Sequence, residues 1–203
     1  MKDLLDGYRR YRAQRWPELQ VLHQKLATRG QRPATAVIAC CDSRVDPATI
    51  FDAGPGELLV IRNVANLAPP YDSEGLGFHG VSAAIEFAVN QLKVEKILVL
   101  GHAQCGGVAA ALDNHPRDPH SFLDAWISML DPAKARIEGQ PGDPASALEH
   151  ESIRVTLENL QTFPFVAEAM ASRGLRLIGA RYGVADGGLE LLDPQTGQFN
   201  AVV

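Results

Sequence analysis

The stretch Ile97-Leu98-Val99-Leu100-Gly101-His102-Ala103-Gln104-Cys105-Gly106-Gly107 joins a short apolar run to two side chains of metal-ligand type. Four aliphatic residues stopped by a glycine fit a strand buried on both faces. His102 and Cys105 follow where a helix is expected over 104–112, and positions three apart share a helix face. An upstream stretch repeats the design: Ala36-Val37-Ile38-Ala39 runs into Cys40-Cys41-Asp42-Ser43-Arg44. If the two strands are parallel neighbours, both loops leave at the carboxyl edge, where open α/β sheets bind ligands.

Three further strands are expected at Leu58–Ile61, Leu175–Ala180 and Leu189–Leu192, the last after the Gly187-Gly188 turn. Helical spacing marks the first thirty residues, Val81 to Leu92, and Ser146 to Ser172 with a break at Pro164. The stretch 116–144, rich in Pro, Asp and Gly, is expected to be largely irregular. Alternation of strands and helices predicts an α/β fold. Its mainly parallel sheet has four strands plus an antiparallel edge strand, with helices on both faces and long N-terminal helices. One domain over 1–203 is expected.

A net charge of −5 argues against nucleic acid or an anionic membrane as the main partner, since both want a basic patch. No apolar stretch reaches the roughly 18–20 residues that span a bilayer. The charged start MKDLLDGYRRYRAQRW does not resemble a secretory signal, so a cytoplasmic location is expected. The three cysteines (two of them adjacent) suit thiol or metal chemistry in a reducing compartment better than a disulfide framework.

Two thiols, an imidazole and a carboxylate converging in one crevice suit tetrahedral zinc. Along extended chain Cys40, Asp42 and Arg44 share a side and Cys41 faces away, which selects Cys40, His102 and Cys105 as ligands. Arg44 is expected to pair with Asp42 and turn it from the open metal position. Two thiolates donate more charge than neutral histidines, so activity is expected to rise towards mildly alkaline pH. Simpler readings stand beside these. Cys41 reads as a small packing residue, and Asp42–Arg44 could be a structural ion pair. His23, His115, His120 and His150 read as surface residues. His79, among Gly75, Gly77 and Gly80, reads as a turn residue or a proton relay.

The segments Ala39-Cys40-Cys41-Asp42-Ser43-Arg44-Val45 and Gly101–Gly107 resemble the two signatures of β-class carbonic anhydrases. Leu5–Arg10, Pro55-Gly56-Glu57, Arg62–Asn66 and Pro69-Pro70-Tyr71 extend the resemblance over nearly the whole chain. It implies zinc-dependent hydration of carbon dioxide, one Zn²⁺ per subunit on Cys40, His102 and Cys105, and Asp42 and Arg44 as the orienting pair. It also implies a substrate pocket of Val64, Leu59 and Phe87, with Gln31 reaching in from a neighbouring subunit and Gly106 offering a backbone N–H. Val37, rather than Trp, points to the open-site, plant-type branch. A homodimer or homotetramer is implied, with residues 1–33 as a helical arm on the partner. Phe87 replaces a frequent Tyr, Leu59 a Phe, and Cys41 the usual Ser. Hydrolysis of carbonyl sulfide or carbon disulfide on the same site, or a non-catalytic zinc or thiol-sensing module, are the competing readings.

Overall fold

The computed structural model describes residues 1–73, 79–113 and 116–202. A six-stranded sheet runs β2-β1-β3-β4-β5-β6. The strands are β1 (Thr35–Cys40), β2 (Leu58–Asn63), β3 (Lys96–His102), β4 (Arg176–Tyr182), β5 (Leu189–Leu192) and β6 (Phe199–Ala201). The first four are parallel; β5 and β6 add antiparallel pairs. Strand β1 lies between β2 and β3, and five of its six residues are buried. This explains why its sequence is continuously apolar rather than alternating.

The nine α-helices of the described residues are α1 (Lys2–Arg10), α2 (Trp16–Arg29), α3 (Pro47–Ile50), α4 (Gly80–Glu86), α5 (Gly106–Leu112), α6 (Phe122–Ile127), α7 (Asp131–Ile137), α8 (Pro144–Thr162) and α9 (Pro164–Arg173). A π-helical turn at Tyr11–Arg15 joins α1 to α2, and another at Phe87–Gln91 extends α4. Ala36, Ile38, Ile97 and Val99 face a core shared with Ile85, Ile153, Leu160 and Val166. Val37, Ala39, Leu98 and Leu100 face the other side, closed by Ile50, Phe51 and Tyr182. Burial on both faces follows from the period-2 alternation of each strand. Helix α8 lies close on the sheet because Gly101 has no side chain: a Cβ there would sit 2.8 Å from Ile153 Cδ1.

Two expectations need correction. The antiparallel edge is two strands wide, and β6 had no sequence signal because three residues are too few to show alternation. The 116–144 stretch is more helical than expected, with α6, α7 and a 3₁₀ turn at Ser128–Leu130. Its polar and proline residues act as helix starts: Ser121 caps the Asp124 N–H, and Pro132 occupies the first turn of α7.

Helices α1 and α2 carry no buried residue, and Leu4, Leu5, Tyr8 and Val21 are exposed. No helix among the described residues is long and apolar enough to cross a membrane.

Candidate metal centre

The register aligns Cys40 with Asn63, and Ala39 with Leu100 just before the His102 loop. The carboxyl ends of β1 and β3 therefore open into one crevice. Cys40, His102 and Cys105 are buried there, and their ligand atoms lie within 4.8 Å of one another. The two Sγ atoms are 3.9 Å apart. Two sulfurs on a tetrahedral zinc, each at 2.3 Å, would stand about 3.8 Å apart. His102 Nδ1 lies 2.9 Å from the Ala103 carbonyl, to which it donates, so Nε2 carries the lone pair. That Nε2 is buried with no hydrogen-bond partner, which leaves its lone pair available to a metal. The donor set fits zinc in charge, softness and spacing.

The thiols respond to this crowding. A hydrogen bond from Cys105 lowers the Cys40 pKa to about 4, against the effect of burial. The same contact, with burial, pushes the Cys105 thiol up. Burial alone would depress the His102 ring, but the neighbouring Cys40 sulfur and the Ala103 carbonyl raise it.

Asp42 and Arg44 form the expected fork: Nε donates to Oδ1 at 3.0 Å and Nη2 to Oδ2 at 2.7 Å. The Arg44 backbone N–H adds a bond to Oδ1 at 2.9 Å, and Nη2 also reaches the Gln104 carbonyl at 3.0 Å. The Arg44 side chain, then its N–H, holds the Asp42 carboxyl well below the usual range. Asp42 Oδ2 stops 3.9 Å from His102 Nε2, beside the three-ligand cluster and not part of it.

The backbone around the site is unusual. Ala65, Asn66 and Gln104 have φ of 62°, 51° and 58°, a region non-glycine residues rarely occupy. Asn63 bridges the first turn through both amide atoms to Leu67, and Trp126 Nε1 donates to the Val64 carbonyl. A Cβ on Gly107 would fall 2.6 Å from Val64 Cγ1 and 3.0 Å from Ala65 Cβ. Gly107 thus permits this close approach, whereas Gly106 faces open space. Gly107→Ala should cost about 1–3 kcal/mol through overpacking, read from urea midpoints.

Other sequence expectations divide. Cys41 is exposed, not packed, because Cys40 takes the inward position. Val64 packs beside Cys40 and Cys105, but Leu59 pairs with Ala36, about 13 Å along the strand from the Cys40 register. Phe87 is 46% exposed and Gln31 lies exposed ahead of β1, so neither packs with Cys40 and Cys105 as Val64 does. His120 and His79 are exposed, and His115 lies outside the described residues. His23 is half-buried against Trp16, and half-buried His150 pairs with Glu190.

Arg62 escaped assignment from sequence: it donates to the carbonyls of Cys40, Asp42 and Val45 and so shapes the ligand loop. Glu149 also escaped. Its signal was a charge on the buried stripe of α8, beside Leu148, Ser152 and Ile153.

Glu190 offers a pH test. Burial would raise its pKa, but hydrogen bonds from His150 and Arg181 outweigh burial and lower it from the ordinary 4.5. A depressed carboxyl stabilises the fold above its unfolded value, and that contribution is lost as pH falls through the folded one. Between neutral pH and about pH 3, wild type should lose more stability than Glu190→Gln, measured by urea unfolding.

Fold and site together define an α/β protein with a zinc centre of two cysteines and one histidine. The sequence profile of the family described as "Carbonic anhydrase" matches residues 35–189. Beta carbonic anhydrase 3 of Arabidopsis thaliana is 35% identical over 193 residues, covering 91% of this chain and 74% of that protein. The solved β-carbonic anhydrase CcaA superposes with TM-score 0.87 at 30% identity, over 100% of this chain and 92% of that one. A structure from Sordaria macrospora, described among two tetrameric β-carbonic anhydrases, gives 0.84 at 28% identity, over 98% of each chain. The chain belongs to the carbonic anhydrase family, in its β class.

Proposed function

We propose that this protein catalyses the reversible hydration of carbon dioxide to bicarbonate and a proton, using zinc held by Cys40, His102 and Cys105. The observation that carries this is the three-ligand cluster with Asp42 held beside it and turned away by Arg44. Zinc in such a site supplies Lewis acidity and makes water a stronger acid. Cys40 and Cys105 set the charge of the centre, and the Ala103 carbonyl keeps His102 in the ligating tautomer. Asp42, kept ionised, accepts a proton-bearing group at the crevice mouth. Val64 gives the crevice an apolar wall for an uncharged gas. Gly106, the first residue of α5 and next to Cys105, offers its backbone N–H to the product's oxygens.

The proposed active unit is a homodimer or higher homo-oligomer, in which Gln31, Leu59 and Phe87 of a second copy complete the pocket. That none of them packs with Cys40 and Cys105 supports this, as does the arm 1–33, whose helices expose Leu4, Leu5 and Tyr8. We place the protein in the cytoplasm, supported by its three free thiols. A closed four-ligand zinc module is disfavoured because Cys41 is exposed and away from the cluster.

Stopped-flow hydration of carbon dioxide by the zinc-loaded protein tests the activity. Turnover should exceed that on carbonyl sulfide or carbon disulfide; a protein with full zinc and no carbon dioxide turnover overturns the proposal.

A further inference from the structure

One deeply buried ionisable side chain has no part in the chemistry above. The Glu149 side chain is 4% exposed, beneath the turn that carries Cys105. A buried carboxylate persists only when its charge is matched and its oxygens find donors. Here the two oxygens divide their partners. Oε2 accepts from Arg181 Nε at 2.9 Å and Nη2 at 2.7 Å. Oε1 faces the Cys105 backbone N–H at 3.4 Å. Beyond it, Arg181 Nη1 donates to Glu190 Oε2 at 3.1 Å, and His150 Nε2 meets the same oxygen at 3.0 Å. A line of matched charges thus runs from the Cys105 peptide to β5.

The turn it reaches is one whose shape matters. Cys105 caps α5 with no side-chain cap bond of its own, directly after Gln104 in left-handed conformation. The direction of Sγ follows from the Cys105 backbone. On the other side of Gln104, the Ala103 N–H is held by the Tyr182 carbonyl at 2.8 Å. Tyr182 is the neighbour of Arg181 in β4. The residues on either side of Gln104 are therefore tied to the same end of β4 through their N–H groups, Ala103 directly and Cys105 through Glu149.

We propose that Glu149, oriented by Arg181, is a positioning residue that fixes the Cys105 peptide and so aims its sulfur at the metal. The proposal rests on the zinc-centre reading. It predicts that the ion pair acts on metal affinity and ligand geometry as well as on fold stability. Groups that orient metal ligands typically govern 10- to 100-fold in affinity.

The test uses the purified full chain as wild type, Glu149→Gln, Arg181→Lys and Glu190→Gln. Zinc affinity is read by chelator competition. The cobalt-substituted protein gives the sulfur-to-metal and ligand-field bands, and thermal unfolding of the metal-free protein gives stability. Glu149→Gln should weaken zinc binding about 10- to 100-fold and shift the cobalt bands. Arg181→Lys should do the same to a lesser degree, since lysine lacks the fork. Glu190→Gln, at the outer end, should leave the cobalt bands unchanged. A Glu149→Gln protein that unfolds at lower temperature yet keeps wild-type zinc affinity and cobalt bands overturns the proposal. If Glu149→Gln does not fold, Arg181→Lys decides by the same readouts. A wild type whose cobalt form shows no sulfur-to-metal band would instead overturn the zinc centre itself.

Discussion

Replacing Cys105 by alanine is expected to remove bound zinc and carbon dioxide hydration together. Cys105 supplies one of two sulfurs in a cluster offering three ligand atoms. Its loss leaves one sulfur and one ring nitrogen, too few to hold zinc against buffer and water. Loss of an orienting group costs 10- to 100-fold, so loss of a ligand should lower turnover by more than about 100-fold. Cys41 cannot substitute, because it points away and is exposed. Cys41→Ala should therefore keep full zinc and turnover, and serves as the paired control. Metal content by mass spectrometry and stopped-flow rates check both. A Cys105→Ala protein retaining zinc and rate would place the metal elsewhere.

The second large effect is expected at Arg44. Its fork keeps Asp42 ionised and holds Oδ2 at 3.9 Å from His102 Nε2. Without the fork, the carboxylate is free to turn into the fourth metal position. Arg44→Ala should therefore keep its zinc but lose turnover by about 100-fold, the upper range for an orienting group. Arg44→Lys should recover only part, because an ammonium cannot engage both oxygens. Asp42→Ala also removes a working group, so the double variant Arg44→Ala with Asp42→Ala should be no slower than the slower single variant. Residues acting as one unit show this non-additivity. Multiplying losses in the double variant would contradict the arrangement.

Much of this site was legible in the chain. Cys40 was separable from Cys41 because side-chain alternation at the end of an apolar run is a strong rule, whereas Arg44 meets Asp42 across a turn at residues 43–44 and not along the extended chain expected there. His102 and Cys105 were legible from their place at the end of a buried strand, although His102 is the last residue of β3 and Cys105 the cap of α5, so they do not share the helix face expected of them. What escaped has physical reasons. The Ala65 turn is held by Asn63 and Trp126, and alanine carries no signal for positive φ. Arg62 works through three backbone carbonyls, which have no sequence identity. Glu149 sat in a helical pattern, where a single charge on the inner stripe was visible but its partner on β4 was not. In the proposed assembly, the places of Leu59, Phe87 and Gln31 depend on which copy they serve, a matter of assembly rather than local pattern. Strand β6 was too short to declare itself.

X-ray absorption at the zinc edge of the wild-type protein tests the central claim most directly. Two sulfurs at about 2.3 Å with two nitrogen or oxygen neighbours at about 2.0–2.1 Å are expected. A shell of three or four sulfurs, or none, would contradict it.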